Sequence, residues 1–169
     1  VGRAPPDFLR LYDLKLGPAP LLVIFLAALT LAGIFVLRRT AFGRYIYAIG
    51  GNEQVALLSG IRVDRVKIGA YMLCSTLAAL TGLLYLARAG IGDPVTGEGA
   101  ELQAITAVIL GGTSLFGGRG GLVGTLGGVL LMGLTNNVLV ILNVSSWYQE
   151  LIQGLVIVGA VALYKQKGR

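Results

Sequence analysis

The apolar part of the chain carries few side chains that could do chemistry, and those it carries are neutral. The 169 residues include no histidine, which is the commonest general base and metal ligand. No long apolar run has an acidic or basic residue near its centre. An acyl-transfer triad, an intramembrane metal centre and a proton-coupled carrier each need such a group, so the sequence argues against all three.

The polar groups that remain inside the runs are hydroxyls and amides. Asn136 and Asn137 are adjacent, and neighbouring side chains on a helix point about 100° apart. Both amides therefore need partners, which either helix packing or a polar pathway can supply. The second alternative makes both residues candidates for a translocation path that suits hydroxyl-rich or otherwise uncharged solutes. The hydroxyl residues, which we expect to hydrogen bond between helices, are Ser75, Thr76, Thr81, Thr106 and Thr113.

The composition is that of a polytopic membrane protein. Hydrophobic residues make up 55% of the chain, charged residues 13%, and the mean hydropathy is +0.79. In an ordinary soluble domain, charged residues make up about 25% of the sequence. The net charge of +6 therefore indicates membrane topology rather than nucleic-acid binding. The single cysteine, Cys74, lies within an apolar run and is expected to be a small buried residue.

Five apolar segments predict an all-α transmembrane bundle of about five helices, forming one domain over residues 1–169. A membrane-spanning helix needs about 20 residues, and the third segment is too short to cross alone unless it is extended at its ends or buried among other helices. The segments are Pro20–Leu37, Ile68–Ala87, Leu102–Phe116, Leu122–Leu142 and Trp147–Tyr164.

The basic residues predict the orientation of these segments. If all five cross, ten of the fourteen Lys and Arg residues share one side, which the positive-inside rule places in the cytoplasm. Residues 1–19 are then external, residues 38–67 form a cytoplasmic loop, and residues 117–121 form a cytoplasmic glycine-rich turn before a cytoplasmic C-terminus. A re-entrant third segment would move Arg119 outside, so the charges favour five crossings. The ten are Arg38, Arg39, Arg44, Arg62, Arg65, Lys67, Arg119, Lys165, Lys167 and Arg169.

Glycines follow this turn at regular intervals. Gly120, Gly124 and Gly128 are spaced by four residues, a pattern that lets two helix backbones approach closely. The glycine-rich stretch GGRGGLVG lacks the preceding strand and the GK[ST] ending of a phosphate-binding loop. We therefore expect helix packing here and not nucleotide binding.

The segment YAIGGNEQVALLSGIRV (residues 47–63) is of intermediate polarity and is flanked by cations. Gly50 and Gly51 should interrupt any preceding helix. Asn52 is a favoured N-cap, and Gly60 is typical of the residue that follows a helix. The sequence therefore predicts a helix of about two turns from Asn52 to Ser59, which is too short to be stable alone in water.

The apolar residues of this short helix need cover from lipid or from a partner protein. Cations flank the helix but do not lie on it, so a docking helix fits better than one lying on lipid. Leu57 and Leu58 are adjacent. We therefore expect one to enter a partner and the other to pack back on this chain.

Three stretches resemble one family of transport proteins. FGRYIYAIGGNEQVALLSGIRV is similar to the cytoplasmic coupling segment of the permeases of ribose/xylose-class ATP-binding-cassette (ABC) importers. AELQAITAVILGGTSLFGGRGGLVGTLGG resembles a second signature of that family, and NNVLVILNVSSWYQELIQGLVIV resembles its last hairpin. The resemblance covers nearly the whole chain from Thr40 onward, and it implies the C-terminal half of such a permease.

The resemblance implies the partners of the chain. They are a cytoplasmic ABC ATPase subunit, a periplasmic sugar-binding protein, a second permease copy in a homo- or heterodimer, and the lipid bilayer. The chain has no Walker motif, so it is not expected to be an enzyme, and ATP hydrolysis is expected in the separate ATPase subunit. No cofactor or metal site is expected. With Leu57 and Leu58 from the residue-level argument, the expected ATPase contacts are Gly50, Gly51, Asn52, Glu53, Ala56, Leu57, Leu58, Ser59, Gly60 and Ile61.

The sequence thus predicts a permease subunit that moves a monosaccharide such as ribose or xylose across the bacterial inner membrane. One alternative is a permease of the same superfamily for branched-chain amino acids or nucleosides. The other is a channel or a structural membrane subunit without an ATPase. A passive channel needs no docking helix, so the coupling segment favours a transporter.

Overall fold

The computed structural model describes residues 2–3, 5, 15–16, 19–93, 95, 97–145, 147–149, 151–152, 154–155 and 158–159. Helices dominate this part of the chain, as expected for a membrane bundle. The helices are α1 (Leu21–Arg39), α2 (Ala41–Gly51), α3 (Glu53–Leu58), α4 (Val63–Ala89), α5 (Ala100–Leu110) and α6 (Leu122–Ile141). Four two-residue strands, β1 (Gly2–Arg3), β2 (Lys15–Leu16), β3 (Ala19–Pro20) and β4 (Ile91–Gly92), form the antiparallel pairs β1–β4 and β2–β3.

Among the described residues, three helices are long and apolar enough to cross a membrane, namely α1, α4 and α6. No residue of α1 is buried against the described residues, so its apolar side chains need cover from lipid or from other protein. Helix α5 has 11 residues, or about 17 Å at 1.5 Å per residue, which is well short of the hydrocarbon core. The membrane class is therefore confirmed, whereas the count of five crossings stays a prediction.

The last predicted segment lies partly outside the described residues. Residues 147–149, 151–152, 154–155 and 158–159 are helical. Residues 160–169, which include the basic tail of Lys165, Lys167 and Arg169, lie outside the described part, as does Glu150.

The described residues form two compact units. The first comprises Val1–Ile46 with Gln54–Gly97, and the second comprises Tyr47–Glu53 with Glu98–Arg169.

In the first unit, Thr40 ends the membrane helix α1 and begins α2. Its hydroxyl donates to the carbonyl of Val36 (2.6 Å) and accepts from the amide of Gly43 (3.2 Å), as an N-cap threonine does. A Cβ at Gly43 would meet the backbone of Leu37. Only glycine therefore permits so tight a turn between the two helices.

The region between membrane segments at residues 38–67 is largely helical. Besides α2 and α3, helix α4 begins at Val63, five residues before the predicted Ile68. Asp64 in its first turn and Arg88 in its last both suit the helix dipole. Hydropathy alone missed this start because the first turn carries charges.

In the second unit, α5 and α6 pack with their backbones in contact at glycines. A Cβ at Gly124 would meet the carbonyl of Gly111, and a Cβ at Gly128 would meet the carbonyl of Ala107. The close approach predicted at these two positions is confirmed. Gly120 lies in the turn before α6, with φ of 145°, and so does not belong to the helix contact.

The expectation of hydrogen bonds between helices is wrong for three hydroxyls. Thr76, Thr81 and Thr106 each donate to the carbonyl four residues earlier in their own helix, at 2.6 to 2.9 Å. An intrahelical carbonyl satisfies a threonine hydroxyl without any neighbour. Cys74 is also exposed rather than buried, because no described residue covers that face of α4.

Candidate coupling segment and translocation residues

The expected ATPase contacts fall on the end of α2, on α3 and on the turn after it. Gly50 and Gly51 are the last two residues of α2, and α3 begins at Glu53, so the predicted interruption falls at Asn52, directly after the two glycines. The amide of Asn52 still donates to the carbonyl of Ala48 at 3.1 Å. Helix formation at two glycines costs backbone entropy, and the packing described below explains why glycine is needed there.

Helix α3 occupies the predicted position and ends as predicted. Gly60 has φ of 83°. Its amide donates to the carbonyl of Leu57 at 3.0 Å, and the amide of Ile61 donates to that of Ala56 at 3.1 Å. These two bonds form a Schellman motif, in which glycine tolerates the left-handed conformation. The segment is therefore a short helix with a defined stop.

The apolar residues of α3 differ sharply in exposure. Ala56 is 3% exposed, whereas Leu57 is 62% and Leu58 is 88% exposed. The structure thus buries Ala56 and leaves both leucines outward, so one leucine does not pack back within the described residues as expected. Ala56 therefore marks the inner face of α3, and the two leucines mark its outer face.

The glycine-rich turn lies against the end of α2 within the second unit. A Cβ at Gly50 would lie 2.5 Å from the amide nitrogen of Gly118, and one at Gly117 would lie 2.6 Å from the carbonyl oxygen of Gly50. The Tyr47 hydroxyl donates to the carbonyl of Gly120 at 2.9 Å. Arg119, in the same turn, is exposed, so this predicted cytoplasmic turn and the start of the coupling segment are in direct contact.

The two asparagines lie on α6 in different environments. Gly128 and Met132 are buried, and Asn136, four residues further on, is half-buried. Asn137 is turned away from that row and is exposed. Neither side chain makes a hydrogen bond to another described residue, so both amides must be satisfied from outside this part of the chain.

Among the described residues, no three His, Cys, Asp or Glu side chains come together in a group that could hold a metal ion. The chemistry available at the two candidate regions is therefore apolar docking at α3 and neutral hydrogen bonding at Asn136 and Asn137.

Comparison with known proteins assigns the chain to a family. The model of the family described as "Branched-chain amino acid transport system / permease component" matches residues 5–161. The chain belongs to this family. It is also 51% identical over 150 residues to the ribose import permease protein RbsC of Bacillus subtilis, which covers 89% of this chain and 46% of that protein.

Two further relatives of this permease family agree with that match. The chain is 49% identical over 145 residues to RbsC of Escherichia coli, covering 86% of this chain and 44% of the relative. It is 41% identical over 151 residues to the E. coli xylose transport system permease protein XylH, covering 89% of this chain and 38% of XylH. The chain thus spans less than half the length of these permeases. No solved structure matches it with significance.

Sequence reasoning missed Tyr47, Gly117 and Gly118 as parts of the coupling region. The signal that could have found them is two separate Gly-Gly pairs, at 50–51 and 117–118, both in segments that the charges place on one side of the membrane. Paired glycines in segments that share a side favour a backbone contact.

Proposed function

We propose that the chain is the C-terminal half of a permease subunit in an ATP-driven importer of a monosaccharide. The observation that carries this proposal is the short helix α3, which ends in a Schellman motif and presents Leu57 and Leu58 at 62% and 88% exposure. Two such leucines beside a membrane domain favour a partner that covers them. The match to a permease family supports an ABC ATPase as that partner.

The work of such a subunit is conformational, and ATP hydrolysis belongs to the separate ATPase subunit. Nucleotide binds two states of the ATPase with different affinity, and this difference supplies the free energy. Residues 50–61 pass the movement to the membrane helices. A periplasmic sugar-binding protein delivers the solute, and a second permease copy completes the path.

We place residues 38–67, the glycine-rich turn and the C-terminus on the cytoplasmic side. Two contacts support this arrangement. Strand β1 pairs with β4, which puts the N-terminal residues beside the loop after α4, as expected if both are external. Gly50 contacts Gly117 and Gly118, which puts Arg119 beside the coupling segment and favours five crossings over a re-entrant third segment.

A sugar is the solute class that we propose. The family description names branched-chain amino acids, whereas the relatives named above are permeases for ribose and xylose. The membrane helices α1 and α6 contain no charged residue near their centres, and a zwitterionic amino acid would require compensation of both its charges. The amides of Asn136 and Asn137 match hydroxyl groups instead.

Solute uptake tests this proposal. The complete permease in which the chain acts, reconstituted with its ATPase and binding protein, should accumulate labelled ribose or xylose only when ATP is supplied. Leucine and a nucleoside should not accumulate under the same conditions. This should hold both without and with a binding protein for each of them. ATP-dependent uptake of leucine without uptake of either sugar would contradict the sugar assignment. Sugar uptake that is independent of ATP would indicate a channel.

A further inference from the structure

We infer that the glycine contact positions the coupling segment so that its movement reaches α6. The glycine contact is defined here as Gly50 and Gly51 of α2 against Gly117 and Gly118 of the turn, with the hydrogen bond from Tyr47 to Gly120. Tyr47, Gly117 and Gly118 are thereby positioning residues for transport. This inference rests on the proposed function, because it assumes that residues 50–61 move with an ATPase.

The two backbones of the glycine contact touch with no room for a side chain. A Cβ at Gly50 would lie 2.5 Å from the nitrogen of Gly118, and one at Gly118 would lie 2.9 Å from the Cα of Gly51. Nonbonded carbon atoms pack at about 3.5 to 4.0 Å. A push on the end of α2 therefore reaches the turn directly, without a flexible side chain between them.

The turn itself is closed by internal hydrogen bonds. The amide of Ser114 donates to the carbonyl of Arg119 at 2.9 Å, and the amide of Gly117 donates to the carbonyl of Ser114 at 3.2 Å. Gly117 and Gly118 have φ of 87° and 72°, a region that favours glycine. A turn fixed at both ends in this way passes on a displacement rather than absorbing it.

The same backbone contact continues into the membrane helices. Gly111, at the end of α5, lies against Gly124 of α6, and Ala107 lies against Gly128. Helix α6 carries Asn136 and Asn137. A contiguous packed series thus leads from the coupling segment to the candidate solute residues. It consists of the end of α2, the turn, α5 and α6. Such a series carries coupling only if its members move together.

Gly50→Ala tests this series. Position 50 is helical and alanine is the best helix former, so the substitution should disturb the contact with the turn and not the helix itself. The matched control is Gly121→Ala, where φ is −178° and a Cβ meets no described atom within 4 Å. In the complete permease with its ATPase, Gly50→Ala should lower sugar uptake per ATP hydrolysed by roughly 2-fold to 30-fold, the range of measured coupling changes. Gly50 is among the expected ATPase contacts, but a Cβ there points at Gly118, so the ATPase should still co-purify. Gly121→Ala should match wild type.

Tyr47→Phe provides a second variant that removes one oxygen and so preserves folding. It should lower uptake per ATP in the same direction, by a smaller factor. Wild-type uptake per ATP for both Gly50→Ala and Tyr47→Phe would overturn the inference. Loss of ATPase co-purification by Gly50→Ala would also overturn it, because Gly50 would then act in docking alone.

A cross-link separates joint movement from simple stability. In a Cys74→Ala background, Tyr47→Cys with Gly121→Cys removes the hydrogen bond and offers two thiols for a short bifunctional reagent. Joining them should restore the uptake that Tyr47→Cys loses, because the inference has the two segments move as one. A further fall in uptake would show that they separate during transport.

If α3 does not bind the ATPase at all, substitutions at Leu58 will leave co-purification unchanged, which distinguishes failure of the proposed function from failure of this inference.

Discussion

Leu58→Asp should release the ATPase subunit from the complete permease while leaving the permease in the membrane. Leu58 is 88% exposed, so the substitution costs the permease little by itself. In the docked state, a buried leucine contributes about 1.5 to 3 kcal/mol, and a buried carboxylate adds a desolvation cost. Since each 1.4 kcal/mol is about a factor of ten in affinity, docking should weaken well over tenfold. Co-purification and substrate-stimulated ATP hydrolysis are the measurements.

The control for Leu58→Asp is Gln54→Glu, which adds one negative charge to the same helix without removing an apolar group. A carboxylate near a helix N-terminus is favourable, so Gln54→Glu should retain the ATPase. Leu57→Asp should weaken docking less than Leu58→Asp, because Leu57 is the less exposed of the two leucines. Wild-type co-purification by both leucine variants would mean that lipid, and not an ATPase, covers α3.

Asn137→Leu should reduce sugar uptake by roughly 2-fold to 12-fold, with the permease still present in the membrane. An unpartnered amide in an apolar environment costs about 2 to 7 kcal/mol, so we expect the exposed side chain of Asn137 to face a polar group in the assembled protein. If the polar group is the solute, the substitution removes one hydrogen bond of about 0.5 to 1.5 kcal/mol. The transition state for transport is then bound more weakly by the same free energy. Initial rates of uptake at several sugar concentrations measure the loss.

Asn136→Leu is the comparison for Asn137→Leu. Asn136 is half-buried and extends the row of Gly128 and Met132, so we expect it to act in helix packing. Its replacement should lower stability by about 1 kcal/mol or less and leave the uptake rate per permease unchanged. The reverse pattern would exchange the two roles, and normal uptake by both variants would remove these residues from the path.

Local signals predicted the fold best where they act within a few residues. Apolar length placed α6 to within one residue at its end, and Gly60 marked the stop of α3 because a left-handed residue is needed there. Helix α2 was not predicted, because two glycines in its last turn lower the helix propensity of an amphipathic segment. Its stability depends on contacts with residues far along the chain, which local propensity does not contain.

The candidate sites divide in the same way. The exposed leucines of α3 follow from their position on a short helix, so the sequence could predict a docking surface. That Ala56 would be buried while both leucines point outward depended on packing between elements. The contact of Gly50 with Gly118 joins residues 68 positions apart, and no local pattern specifies which of many glycines will meet. Whether Asn136 or Asn137 is exposed likewise required the position of α5.

Thiol labelling at Ser59 tests the central claim, a cytoplasmic helix that docks an ATPase, most directly. Ser59 is exposed at the end of α3. In a Cys74→Ala background, Ser59→Cys should resist a membrane-impermeant reagent in intact cells, whereas Glu98→Cys should react. In inside-out vesicles stripped of the ATPase, Ser59→Cys should react, and adding the ATPase back should protect it. Labelling of Ser59→Cys from outside intact cells, or labelling that the ATPase does not change, would contradict the account.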